Sequence, residues 1–162
     1  MAGIVGGQAV IRSAELQGVI KDINKYKVAI QQFSDYHDAL PGDITNADQY
    51  WGTDCDATPA NCNGNGNGQI EYSESLRSWQ HLGLSGMIPG NYIGTHAPGP
   101  IDHVAGENLP IGALNGSAYW YGRQIPPGDD LYCEIVGNHI TISGTDGNRY
   151  NMAGILNAAD AE

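Results

Sequence analysis

Residues 63 to 74 read NGNGNGQIEYSE, with oxygen-bearing side chains at alternate positions. In the register of an EF-hand calcium loop, Asn63, Asn65 and Asn67 fall at the first, third and fifth positions and Gly68 at the sixth. Gln69 takes the carbonyl-donating seventh place, Ile70 the apolar eighth, and Glu74 the bidentate final one. Asn offers an oxygen without a charge, so the formal ligand charge rests on Glu74, with Glu71 nearby. Affinity follows that charge count, and the spacing therefore predicts a weak calcium site or none. Alternating Asn-Gly is also what tight turns with positive φ select, so the same residues fit a metal-free turn feeding a helix.

The cysteines are Cys55, Cys62 and Cys133. Cys55 and Cys62 bracket the short polar loop DATPAN, a spacing that suits a local disulfide and an oxidising compartment. Three cysteines permit three single pairings and leave one thiol over, and three reduced thiols are the alternative. No nucleophile elbow, zinc-protease helix, phosphate-binding loop or Cys-x-x-Cys pair is present. His37, His81, His96, His103 and His139 are scattered, and His37 and His81 read as structural. Asp129 and Asp130 follow PPG and read as a solvated turn. No catalytic constellation emerges, and the expectation is a protein that is not an enzyme.

The elements that must carry these residues follow from periodicity. Leu16, Val19, Ile23, Tyr26, Ile30, Phe33, His37 and Leu40 alternate spacings of three and four, one face of a helix. Pro41 and Gly42 stop it, so a helix of about 48 Å is predicted from Gln8 to Ala39. A second helix is expected from Ser73 to His81, with Leu76 and Trp79 facing inward. Tyr50 and Trp51 should pack back on the domain. After Gly90, the runs NYIGT, SAYWYGR, LYCEIVG and HITISG alternate aromatic and β-branched residues between Gly and Pro, the pattern of an antiparallel sheet. Asp146-Gly147 reads as a hairpin centre. The order predicts one α+β domain over 1–162: a long helix (3–40), a loop and short-helix region (41–94) and a β-rich region (95–162).

Composition narrows the partners. Seven Lys and Arg against 18 Asp and Glu give a net charge of −11, without the basic cluster a phosphate backbone requires. Nucleic acid and anionic membrane surfaces are therefore not expected partners. The start MAGIVGGQAVI is apolar up to Arg12 but far shorter than the roughly 20 residues a bilayer demands. It reads as the end of a longer hydrophobic segment.

Taken in order, GIVGGQAVIRSAELQGVIKDINKYKVAIQQFSDYHDALPGD (3–43), NADQYWG (46–52), NGNGNGQI (63–70) and ESLRSWQHLGLSGMIPGNYIG (74–94) resemble the type IV pilin-like proteins, which include the type II secretion pseudopilins. The resemblance covers about the first 94 residues. It implies a long N-terminal helix packed on a small antiparallel sheet and a non-catalytic subunit of a type IV pilus or a secretion pseudopilus. The implied partners are other pilin or pseudopilin subunits and the inner-membrane assembly machinery. The implied setting is inner-membrane-anchored facing the periplasm, or extracellular in a pilus. Ile4, Val5, Val10 and Ile11 would then line the assembly helix. The cleavage and methylation motif of such proteins is absent from these residues, and the chain reads as trimmed at both ends. A rival expectation is a secreted calcium-dependent carbohydrate- or surface-binding module with Tyr119, Trp120 and Tyr121 as an exposed stacking platform.

Overall fold

A computed structural model describes residues 2–95, 103–122 and 137–144, without the side chains of 2–6, 8, 9, 143 and 144. The chain is α+β. Helix α1 runs Ala2–His37, α2 Ala47–Trp51 and α3 Tyr72–Leu84, and strands β1 Ser117–Gly122 and β2 His139–Gly144 form an antiparallel pair. Short 3-10 turns at Gly52–Asp54 and Pro59–Cys62 flank the Cys55 loop.

Helix α1 starts earlier than its apolar stripe, because Gly3, Gly6 and Gly7 weaken a helix without breaking it as proline would. It ends at His37: the last helical bond runs from Asp38 N to Ser34 O (2.9 Å), and Asp38 turns to φ +53°. Its striped face buries Tyr26, Ala29 and Phe33, with Val19, Ile23 and Ile30 packed around them. Tyr26 packs edge-on against Trp79 of α3 (4.9 Å) and Tyr119 of β1 (5.1 Å), so one aromatic knot joins all three elements. The Tyr119 hydroxyl donates back to Asp22 of α1 at 3.1 Å.

The expected inward residues Leu76 and Trp79 are 1% and 0% exposed. Trp51 is half-buried against Phe33, His37 and His81, as its position after α1 suggested, while Tyr50 stays 51% exposed. The register pairs Tyr119 with Ile142 and Trp120 with Thr141. NYIGT is not a strand. Gly90 and Gly94 take positive φ and bend the chain, and Ile93 N bonds instead to Glu107 O. The LYCEIVG strand, the Asp146-Gly147 hairpin, Asp129, Asp130, His96 and Cys133 lie outside the described residues, apart from Gly137 at the end of LYCEIVG.

Candidate functional site

The Asn-Gly loop is organised around an acid that lies far from it in sequence. The Asp43 side chain, 3% exposed, accepts the backbone N–H groups of Gly66 (2.6 Å) and Asn67 (3.1 Å) on Oδ1 and of Gly68 (2.7 Å) on Oδ2. Gly66 and Gly68 hold φ of +71° and +77°, which turns successive N–H groups inward as a nest for an anion. At Gly64 the loop lies against the 42–43 backbone so closely that a Cβ would strike Gly42 O and Asp43 Cα. Asn138, ahead of β2, clasps the far side: its Oδ1 accepts Ile70 N at 2.8 Å and its Nδ2 donates to Gly68 O at 3.1 Å.

The candidate calcium ligands occupy defined places in this arrangement. Asn63 Oδ1 accepts Asp48 N (2.9 Å), Asn65 Oδ1 accepts Asn67 N (3.0 Å), and Asn67 Oδ1 accepts Gln69 N (2.8 Å). The latter two are Asx turns, the local chemistry that fits Asn for turn positions. Glu74 accepts Asn65 N on Oε1 and Glu71 N on Oε2, both at 3.0 Å, completing a capping box at the start of α3. Burial pushes the Glu74 carboxyl above the usual range. The charges of Asp43 and Glu71 push the same way, against the two N–H bonds.

These oxygens are thus committed to backbone donors, and the loop's centre holds a carboxylate. Isothermal titration with millimolar calcium is expected to release no heat, while Glu74→Gln lowers stability by about 1 kcal/mol through the damaged cap. Heat in the wild type that vanishes in Glu74→Gln would instead assign a cation site.

Cys55 and Cys62 form the local disulfide, Cα to Cα 5.9 Å. Three polar residues of α3 dock the loop it closes. Arg77, 7% exposed, donates to Cys55 O (3.2 Å), Gln80 Oε1 (2.7 Å) and Asp56 Oδ2 (2.7 Å). Gln80 Nε2 donates to Cys55 O at 2.7 Å. The Asp56 carboxyl is held below its ordinary range, chiefly by the Arg77 hydrogen bond. His81, fully buried, accepts Gly42 N on Nδ1 (2.9 Å). Its Nε2 therefore carries the proton and donates to Cys62 O (3.2 Å). Cys55, Cys62 and His81 lie close enough to hold a metal, yet both sulfurs are bonded to each other and neither ring nitrogen offers a free lone pair. Replacing both cysteines by Ala is expected to lower unfolding free energy by about 2.5 kcal/mol, from the loop-closure entropy of this short loop. Urea denaturation checks it, and a loss below about 0.5 kcal/mol would deny the bridge a structural role.

The first turns of α1 are partly exposed. Among the described residues, Gly18 of α1 lies against the globular part, where an added Cβ would be 3.0 Å from Ala113 Cβ, and Leu16 is half-buried. Before it, Val10 and Ile11 are 70% and 62% exposed. Ile4 and Val5 fall within the helix, and their side chains lie outside the described residues. No helix among the described residues is long and apolar enough to cross a membrane.

The expected stacking platform does not exist as an exposed surface. Tyr119, Trp120 and Tyr121 are 0%, 3% and 5% exposed. Helices α1 and α3 cover Tyr119 and Tyr121, through Tyr26 and Trp79, and Tyr72 and His103 cover Trp120. A two-sided cover makes alternation in the sequence look like a half-exposed strand when both faces are buried.

Asp43, Asn138 and Arg77 were not singled out by the sequence. A run of glycines that exposes N–H groups demands an anion, but 18 acidic residues could supply it, and only the fold selects Asp43. No protein-family model, curated protein or solved structure matches this chain.

Proposed function

We propose that this chain is a structural subunit, a pilin or pseudopilin, that assembles through α1 into a type IV pilus or a type II secretion pseudopilus and has no catalytic role. The observation that carries the reading is the helix itself. Thirty-six residues form α1, and toward its start Val10 and Ile11 are left 70% and 62% exposed. Apolar side chains exposed on a rod gain free energy by packing against neighbouring rods, at roughly 25 cal/mol per Å² of apolar surface removed from water. The motif order over residues 3–94 supports the same reading. The disulfide and the Asp43-centred loop would then serve to stiffen the surface that a filament presents.

The test is electron microscopy of cells producing the full-length gene product. Val10→Asp with Ile11→Asp is expected to abolish filaments containing the subunit while circular dichroism of the domain stays unchanged. Filaments of normal number in that variant would overturn the reading.

A further inference from the structure

At the C-terminal end of α1 lies a cleft that neither helix assembly nor the Asn-Gly loop uses. Its volume is about 300 Å³, and Tyr36, His37, Tyr50, Trp51, Ser85 and Met87 line it. Tyr36 is 77% exposed and Tyr50 51%, large aromatic surface left in water. The rings stand crosswise: Tyr36 meets His37 at 4.8 Å and 76°, and Tyr50 meets His37 at 4.8 Å and 87°. Trp51 is 5.8 Å from Tyr50 at 44°. A flat sugar-stacking platform needs near-coplanar rings, whereas rings set at right angles suit a compact ligand approached from several sides.

The electrostatics select the sign of that ligand. Helix α1 ends at His37, so the negative end of a long helix dipole stands at the cleft. A second cavity of about 590 Å³ shares His37 and is lined by Asp38 and Asp43. Among the described residues no Lys or Arg lines either space. The His37 Nδ1 is buried without a hydrogen-bond partner among the described residues, and burial holds the ring's pKa below its usual value, so it adds no positive charge at neutral pH. Aromatic faces in an acidic setting attract cations through the ring quadrupole, most strongly when the cation is weakly hydrated.

We propose that this cleft binds a small organic ammonium ion, a quaternary or methylated ammonium group seated among Tyr36, Tyr50 and Trp51. The site lies at the C-terminal end of α1, far along the helix from Val10 and Ile11, and stands or falls independently of filament formation.

The experiment is a titration of the protein with choline chloride and with dimethylbutanol, its uncharged carbon isostere, read by tryptophan fluorescence and amide NMR shifts. Trp51 is the half-buried indole, Trp79 and Trp120 being 0% and 3% exposed, so a quenched or shifted signal reports on the cleft. Saturable binding near the millimolar range is expected, at least tenfold tighter for choline than for the isostere. Tyr50→Ala and Tyr36→Ala, on exposed side chains, should each weaken choline binding severalfold with unchanged circular dichroism, and Tyr50→Phe should retain it. Co-sedimentation with phosphatidylcholine vesicles that choline displaces would assign the ammonium to a lipid headgroup. Binding of choline without co-sedimentation assigns it to a free ion. Equal affinity for the isostere, binding undiminished in both alanine variants, or no saturable response would each overturn the proposal.

Discussion

Acidification from pH 6.5 to 4 is expected to remove about 3 kcal/mol of stability through His81 alone, at about 1.4 kcal/mol per pH unit for one proton. The ring is buried between α3, the Gly42 turn and the disulfide loop, and burial pushes its pKa from 6.5 down to about 3. The nearby Arg77 charge adds to the lowering, and the hydrogen bond to Cys62 O opposes it. A proton thus binds the unfolded chain more tightly than the folded one. The stabilisation is complete above pH 6.5 and is lost progressively as pH falls toward 3. Protonation would also turn Nδ1 into a donor facing the donor Gly42 N–H, so the turn that follows α1 loses its anchor. Glu74 acts in the opposite direction: its raised pKa means that stability tied to that group increases as pH falls from neutrality toward the ordinary Glu range.

A comparison isolates His81 from Glu74. His81→Asn keeps an acceptor for Gly42 N–H but cannot titrate, and should be less stable than wild type at pH 7. Urea unfolding should show the gap between the two closing by about 3 kcal/mol between pH 6.5 and 4. A gap that stays constant with pH would show that His81 does not titrate in this window.

Asp43→Ala is expected to cost about 3 kcal/mol, because three backbone N–H groups lose one charged acceptor. Water can reach Gly66 and Gly68, which are exposed, and this keeps the cost below three full charge-assisted bonds. Asp43→Asn should cost about half as much. Its remaining oxygen can still accept Gly66 and Asn67, but its NH2 opposes Gly68 N–H. Native-state hydrogen exchange gives a second readout: the amides of Gly66, Asn67 and Gly68 should lose protection in Asp43→Ala, with α1 and β1 unchanged. A loss of stability below about 0.5 kcal/mol would mean that the loop is held by its Asx turns and by Asn138 instead.

The elements whose residues interact locally were legible. The three-four spacing from Leu16 to Leu40 set the face of α1, and SAYWYG and HITISG alternate as paired strands do. The Asn-Gly run read as a turn or a weak calcium loop, and Gly66 and Gly68 take the positive φ of a turn, while the Cys55–Cys62 spacing suited the bridge that forms. What stayed hidden depends on contacts between distant segments. Asp43 is 23 residues from Gly66 in the chain, and nothing local distinguishes it from a solvated acid after a helix. Arg77 and Gln80 are polar residues that no local signal places inside, and His81 reads as structural without a named partner. They are buried because the disulfide loop presents Cys55 and Cys62 carbonyls for them to bind. Trp120 read as half-core, or in the rival reading as a surface aromatic, because a strand's pattern records its faces and not what covers them.

We propose that α1 carries assembly, and cross-linking in cells through one introduced cysteine tests this most directly. Val10→Cys and Ile11→Cys, placed one at a time in the full-length gene product, sit on the exposed part of the helix, and Asp48→Cys on the globular part serves as control. On mild oxidation each helix position is expected to give a disulfide-linked dimer of the chain, and the control none. Monomer alone at both helix positions, in cells that make the protein at normal levels, would contradict the account.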